Sequence, residues 1–165
     1  MKNMICLILA LVALSLMSAC GGSTQSPKAD RIIKAVIKPS ALSTGQNIAG
    51  INLTITVPAG VEPPLLLDGK ADPTATVEIT SSAPQNQTLP GATFTPATTS
   101  APGQLAIIAV IAAGFQTNDL ITLHLKVAAG TFPVVEDFKL LSFEAFDING
   151  TPVSGLTPTL TTTIQ

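Results

Sequence analysis

The sequence predicts an all-β sandwich, and three observations lead there. All 13 prolines of the 165-residue chain fall after Cys20, and helix interiors do not tolerate proline. Threonine, valine and isoleucine are abundant beyond that point, and β-branched side chains favour a pleated surface. Short alternating stretches recur between Gly, Pro, Asn and Asp breaks, which is the pattern of two packed sheets. The length bounds the chain to one domain.

The elements follow in order. Residues 31–38 open the domain as a strand. In residues 48–57, Ile51, Leu53, Ile55 and Val57 face one way while Asn52, Thr54 and Thr56 face the other, so this strand is half-buried. Leu65, Leu66 and Leu67 form a short apolar run, expected to be buried and ended by Asp68 and Gly69. Residues 74–80 alternate again. Residues 81–102 are polar and proline-rich, a long loop holding one short strand near Phe94. Residues 104–115 are almost wholly apolar and predict a central strand buried on both faces. This run is too short for a membrane span, which needs about 20 apolar residues. In residues 120–127, Ile121, Leu123, Leu125 and Val127 point inward, and Thr122, His124 and Lys126 outward. Residues 138–146 form another strand. Asn149–Gly150 then gives a hairpin signal that needs positive φ, and residues 153–164 close the domain with Thr-rich strand. The total is roughly nine strands, enough for two packed sheets.

The N-terminus reads as a targeting segment. Lys2 precedes an apolar run of about a dozen residues, the length of a signal h-region. Ser18, Ala19 and Cys20 follow, and this stretch resembles the bacterial lipobox, with Met17 where Leu is usual. The expected organisation is a signal peptide over residues 1–19, a flexible tether over residues 20–30 and a sandwich domain over residues 31–165. Cys20 is the expected lipidation site. Its small, polar successors, Gly21 to Pro27, suit a tether. Several acyl chains give a stable anchor, so the chain is attached to a membrane rather than spanning it. Gly21 in place of Asp resembles the sorting signal for the outer membrane. The expected location is the cell envelope, at the outer membrane or cell surface.

Several segments together resemble cohesin domains. Residues 48–58 are similar to the early cohesin strands, residues 102–105 and 121–127 to the central strands, and residues 145–153 to the late hairpin. This resemblance implies a nine-stranded jelly-roll (Ig-like) β-sandwich. Cohesins bind dockerins, small calcium-loaded helical modules, through a sheet face. One superfamily of cellulose-binding modules shares the fold. No binding residue carries over by motif, so the binding residues stay unknown.

Composition restricts the chemistry. Only 11% of residues are charged and the formal net charge is −2, so no basic stripe suits nucleic acid. One His and two Cys leave no Cys/His metal centre, and no cofactor is expected. His124 shares the outward phase and reads as a solvated strand residue. No Gly-x-Ser-x-Gly elbow exists to anchor a Ser-His-Asp site. Glu136, Asp137, Glu144 and Asp147 could pair as carboxylates, but read as solvated surface and turn. Gly69–Lys70 lacks the surroundings of a phosphate loop. Asp147–Gly150 opens like a calcium loop, but Pro152 and Pro158 stand where an EF-hand needs Gly and Glu.

Trp and Tyr are absent, which disfavours stacking on crystalline polysaccharide. Phe132, Phe138, Phe143 and Phe146 fall near strands, where burial is the default. The expected function is therefore non-enzymatic: an envelope lipoprotein whose sandwich mediates protein–protein interaction, with a dockerin-like partner or in envelope assembly. The alternative is a carbohydrate-binding module that assists polysaccharide breakdown.

Overall fold

A computed structural model of the chain describes residues 31–38, 48–81, 88–116 and 120–165. The segments expected as signal peptide and tether, with Cys20, lie outside the described residues. The described residues form an all-β sandwich of two antiparallel sheets. Its strands are β1 (Arg31–Lys38), β2 (Ile48–Val57), β3 (Val61–Glu62), β4 (Val77–Thr80), β5 (Thr88–Thr95), β6 (Gly103–Phe115), β7 (Leu120–Val127), β8 (Leu140–Phe146) and β9 (Thr159–Ile164). One sheet runs β3-β7-β1-β9, with β4 pairing further along β7, and the other runs β5-β6-β2-β8.

Alternation sets the core. Ile33, Ala35 and Ile37 of β1 and Ile121, Leu123, Leu125 and Val127 of β7 face inward from the first sheet. Ile51, Leu53, Ile55 and Val57 of β2 and Leu105, Ile107, Ala109 and Ile111 of β6 meet them from the second. All are buried in one continuous cluster, which Phe115, Phe138 and Ala145 complete. Each large aliphatic side chain buried this way contributes about 1.5–3 kcal/mol.

The order of the strands binds distant parts of the chain. β1 pairs with β7 and with β9, and β2 with β6 and β8. The backbone of Gln165 exchanges two hydrogen bonds with that of Ile32, at 3.2 and 2.9 Å. Only β5 and β6 are both consecutive and hydrogen-bonded to each other.

Several expectations are corrected. Leu65, Leu66 and Leu67 are not a buried strand: all three are exposed. They lie in a tight loop where Leu66 N donates to Lys70 O and Gly69 N to Leu66 O. Residues 74–80 are not one strand. A helical turn, α1 (Pro73–Thr76), precedes β4. The Asp72 carboxylate caps it, accepting from Thr74 N at 2.9 Å and Ala75 N at 3.2 Å, and Pro73 is preset for the first helical position.

β6 is central in its sheet, yet it buries only one face: Gln104, Ala106 and Ile108 are exposed. Thr56 and Thr122 share the outward phase but are buried. Thr56 Oγ1 donates to Asp137 O at 2.6 Å and accepts from Lys139 N at 2.7 Å, which ties β2 to the segment before β8. Thr122 is hemmed between Val36 and Glu78 on its two neighbouring strands. The closing Thr-rich segment is strand only over β9, since residues 153–158 cross from one sheet to the other.

Gly103 marks the closest backbone approach. A Cβ there would lie 2.9 Å from Ala97 N and from Thr95 O, and 3.1 Å from Val57 O. At Gly91 the nearest atom to an added Cβ is Ile108 Cβ at 3.4 Å, an ordinary contact. Gly103→Ala should therefore destabilise the domain by about 1–3 kcal/mol through forced backbone shifts. Gly91→Ala should stay within about 1 kcal/mol of wild type. Urea unfolding of the two variants checks the contrast.

Candidate functional site

The sandwich presents two outer faces of opposite character. On the β3-β7-β1-β9 sheet most outward positions are charged or hydroxylated, with Ile32 and Val36 the apolar exceptions on β1. Lys34 lies opposite His124 and Thr163, Val36 opposite Thr122 and Thr161, and Glu62 opposite Lys126. His124 is about one-third exposed, at 35%, and its Nε2 lies 2.9 Å from Glu78 Oε2. The pair is diagonal across β7 and β4, a spacing at which long side chains meet. His124 is thus a strand residue on a solvated face, as its phase predicts.

The opposite face differs. β2, β5 and β6 contain no charged residue. Register places Leu89, Val110, Gly50 and Phe146 in one row across the four strands, and Gly91, Ile108, Asn52 and Glu144 in the next. Thr93, Ala106, Thr54 and Ser142 form a third row. Leu89 is 68% exposed and Ile108 52%. Strand and residue spacing make the face roughly 15 by 20 Å.

Small side chains keep this face flat. Gly91 leaves the flank of Ile108 open, and Gly50 leaves that of Phe146 open. Glu144 supplies charge at the β8 edge. Apolar Leu89, Ile108, Val110 and Phe146 thus share this face with Asn52, Thr54, Thr93 and Ser142, and charge is depleted at its centre, as it is in interface cores. The sequence reading missed this face because it placed Ile108 and its neighbours in the interior.

The remaining candidates are structural. Asp147 stays in the turn that follows β8. Its Oδ1 accepts from Asn149 N and Thr151 N, both at 2.8 Å, and Gly150 adopts φ +79° to close that turn. The backbone N–H of Thr151, followed by that of Asn149, holds the Asp147 carboxyl below its ordinary value. Asp137 Oδ2 accepts from Val134 N at 2.9 Å, and Lys70 pairs with Asp68 at 2.9 Å. Among the described residues no cluster of three His, Cys, Asp or Glu is placed to hold a metal ion.

Phe138 is buried as expected, while Phe143 and Phe146 are only partly covered. Phe132 departs from the expectation: it is 65% exposed, and the Arg31 guanidinium lies 5.3 Å from its ring centroid.

The fold and this face define the class: an all-β sandwich with one outer sheet surface that is free of charge over β5, β6 and β2. Comparison with family models, curated proteins and solved structures finds no match to the chain.

Two outcomes follow. Ile107 and Ile108 are adjacent but face opposite ways, so Ile107→Lys should unfold the domain. Ile108→Lys should change stability by no more than about 0.5 kcal/mol. Thermal unfolding of the two variants tests the alternation. Separately, the lowered Asp147 carboxyl stabilises its turn fully above the ordinary value of 3.8. That contribution is lost only as the pH falls through the lowered value. Amide shifts of Asn149 and Thr151 should hold steady from neutrality down to about pH 4 and move only below it.

Proposed function

We propose that the chain is a non-enzymatic lipoprotein of the cell envelope. Lipid on Cys20 anchors it, and the outer face of β5-β6-β2-β8 docks a protein partner. The observation that carries this reading is the charge-free surface around Ile108 and Leu89. A rigid sheet adds little ordering cost on association. The cohesin-like jelly-roll reading is supported by nine strands in two antiparallel sheets. It is supported further by connections that repeatedly cross between the sheets, as jelly rolls do. On that reading the partner class is a dockerin-like helical module carrying its own calcium.

The test uses the full-length chain, extracted from membranes, as bait in an envelope extract of the organism that makes it, with calcium and with chelator. A protein held by wild type and by His124→Ala but lost with Ile108→Lys is the expected result. Loss in chelator identifies the dockerin-like class. Capture that ignores Ile108→Lys overturns the docking face. Retention on soluble polysaccharide with no protein captured moves the function to glycan binding.

A further inference from the structure

We infer that the end of the sandwich from which β1 begins rests on a lipid bilayer, with Leu66, Leu67 and Phe132 entering the headgroup region. This rests on the reading of Cys20 as lipidated. Register places Arg31, Val127 and Val61 in one row, so the start of β1, the end of β7 and the start of β3 share that end. Two loops flank it, residues 63–72 and 128–139.

Those loops hold six of the eleven exposed large hydrophobic side chains among the described residues: Leu65, Leu66, Leu67, Phe132, Val134 and Val135. Leu67 sits in the tight turn closed by the Leu66 and Lys70 backbones and is fully exposed, at 111%. Toward the opposite end, among the described residues, Leu89 and Ile148 are comparably exposed, at 68% and 67%, and they are single side chains on separate elements rather than a cluster. A groove of about 310 Å³, lined in part by Gly60, Leu65, Phe94, Pro96 and Ala128, separates the Leu65 loop from the start of the Phe132 loop.

The polar groups suit this placement. Arg31 stacks on Phe132, a pairing of cation and ring that keeps the charge at phosphate level while the ring lies deeper. Three of the four loop carboxylates are turned to local partners: Asp68 to Lys70, Asp72 to Thr74 and Ala75, and Asp137 to Val134 N; the fourth, Glu136, is exposed.

Tether length adds a second, independent constraint. Ten residues lie between Cys20 and Arg31, which makes eleven Cα–Cα steps. Those steps reach at most about 40 Å. The ten residues of β2 make the sandwich about 33 Å long. An acyl anchor therefore holds the Arg31 end within about 40 Å of the bilayer, while the far end has no attachment of its own; the exposed apolar loops, not the tether, set which end faces the lipid. Interfacial insertion of exposed apolar side chains is then the favourable state for that end.

The chain contains no Trp, so a single introduced Trp reports its own surroundings. Leu67→Trp, Phe132→Trp and Ile148→Trp are made in the full chain, expressed in a bacterium that processes lipoproteins. Each protein is reconstituted into phosphatidylcholine vesicles with brominated acyl chains. Bromine should cut emission at positions 67 and 132 by roughly twofold, with a blue shift, because interfacial groups sit near the headgroup–acyl boundary. Emission at position 148 should not change. Equal emission at all three positions, quenched or not, overturns the inference. Intact mass reads the anchor separately. Acylated protein with unquenched 67 and 132 sinks the bilayer-facing end and leaves the anchor standing. A mass without acyl groups sinks the lipidation reading, and the quenching still decides the surface.

Discussion

The fold depends on one constraint: almost every connection carries the chain from one sheet to the other. β1 to β2, β2 to β3, β4 to β5, β6 to β7, β7 to β8 and β8 to β9 all cross. Neighbours within a sheet are therefore distant in sequence, and neither sheet can form without the other. The shared interior of Ile, Leu and Val makes both sheets one cooperative unit. The loop-closure entropy of such long-range pairings comes before their reward, so this topology belongs with slowly folding proteins. Pairing of β1 with β9 joins the first and last described strands, so the unit closes only when the final residues are in place.

That constraint decides what the sequence reveals. β1, β2 and β7 were legible because each has one buried face, and alternation reports it directly. Residues 104–115 were legible as a strand but not in their facing. An unbroken apolar run carries no phase, so Ile107 inside and Ile108 outside look alike in sequence. Leu65–Leu67 misled for a related reason: an apolar run suggests burial, but the turn from Leu66 to Lys70 leaves no sheet for it to join. The helical turn at Pro73 did have a signal, in Asp72 followed by Pro73, which alternation in residues 74–80 outweighed. The charge-free face had none, because it exists only once register lines up three uncharged strands.

The two outer faces differ in how they manage water. Lysines, glutamates and threonines on the β3-β7-β1-β9 sheet keep that surface solvated. The opposite sheet leaves apolar side chains in water on its face, and its edge strands β5 and β8 carry unpaired backbone groups that invite edge-to-edge association. Its exposed edge strand β5 contains Pro90, which removes a donor from the ladder and blunts the edge. The other edge, β8, shifts register against β2 between Thr54 and Ile55, and such irregularities twist an edge away from regular pairing. Both devices disfavour extension of the sheet at its edges, which leaves the face as the route for the proposed association.

The proposed docking face and the proposed bilayer-facing end are geometrically independent, and each makes the other more useful. The strands run from the Arg31 end toward the Ile148 end, so with the Arg31 end on a membrane they stand upright. Ile108 lies five residues from Gly103 along β6, which places it about 17 Å above that end. The face then points sideways, parallel to the membrane, and stays clear of the headgroups. A partner would meet it laterally, as a neighbour in the envelope. Without the end contact, a tether that reaches about 40 Å would let the face take any angle to the bilayer. Seating the Leu67 and Phe132 loops removes that freedom before the partner arrives, and association then loses less orientational entropy.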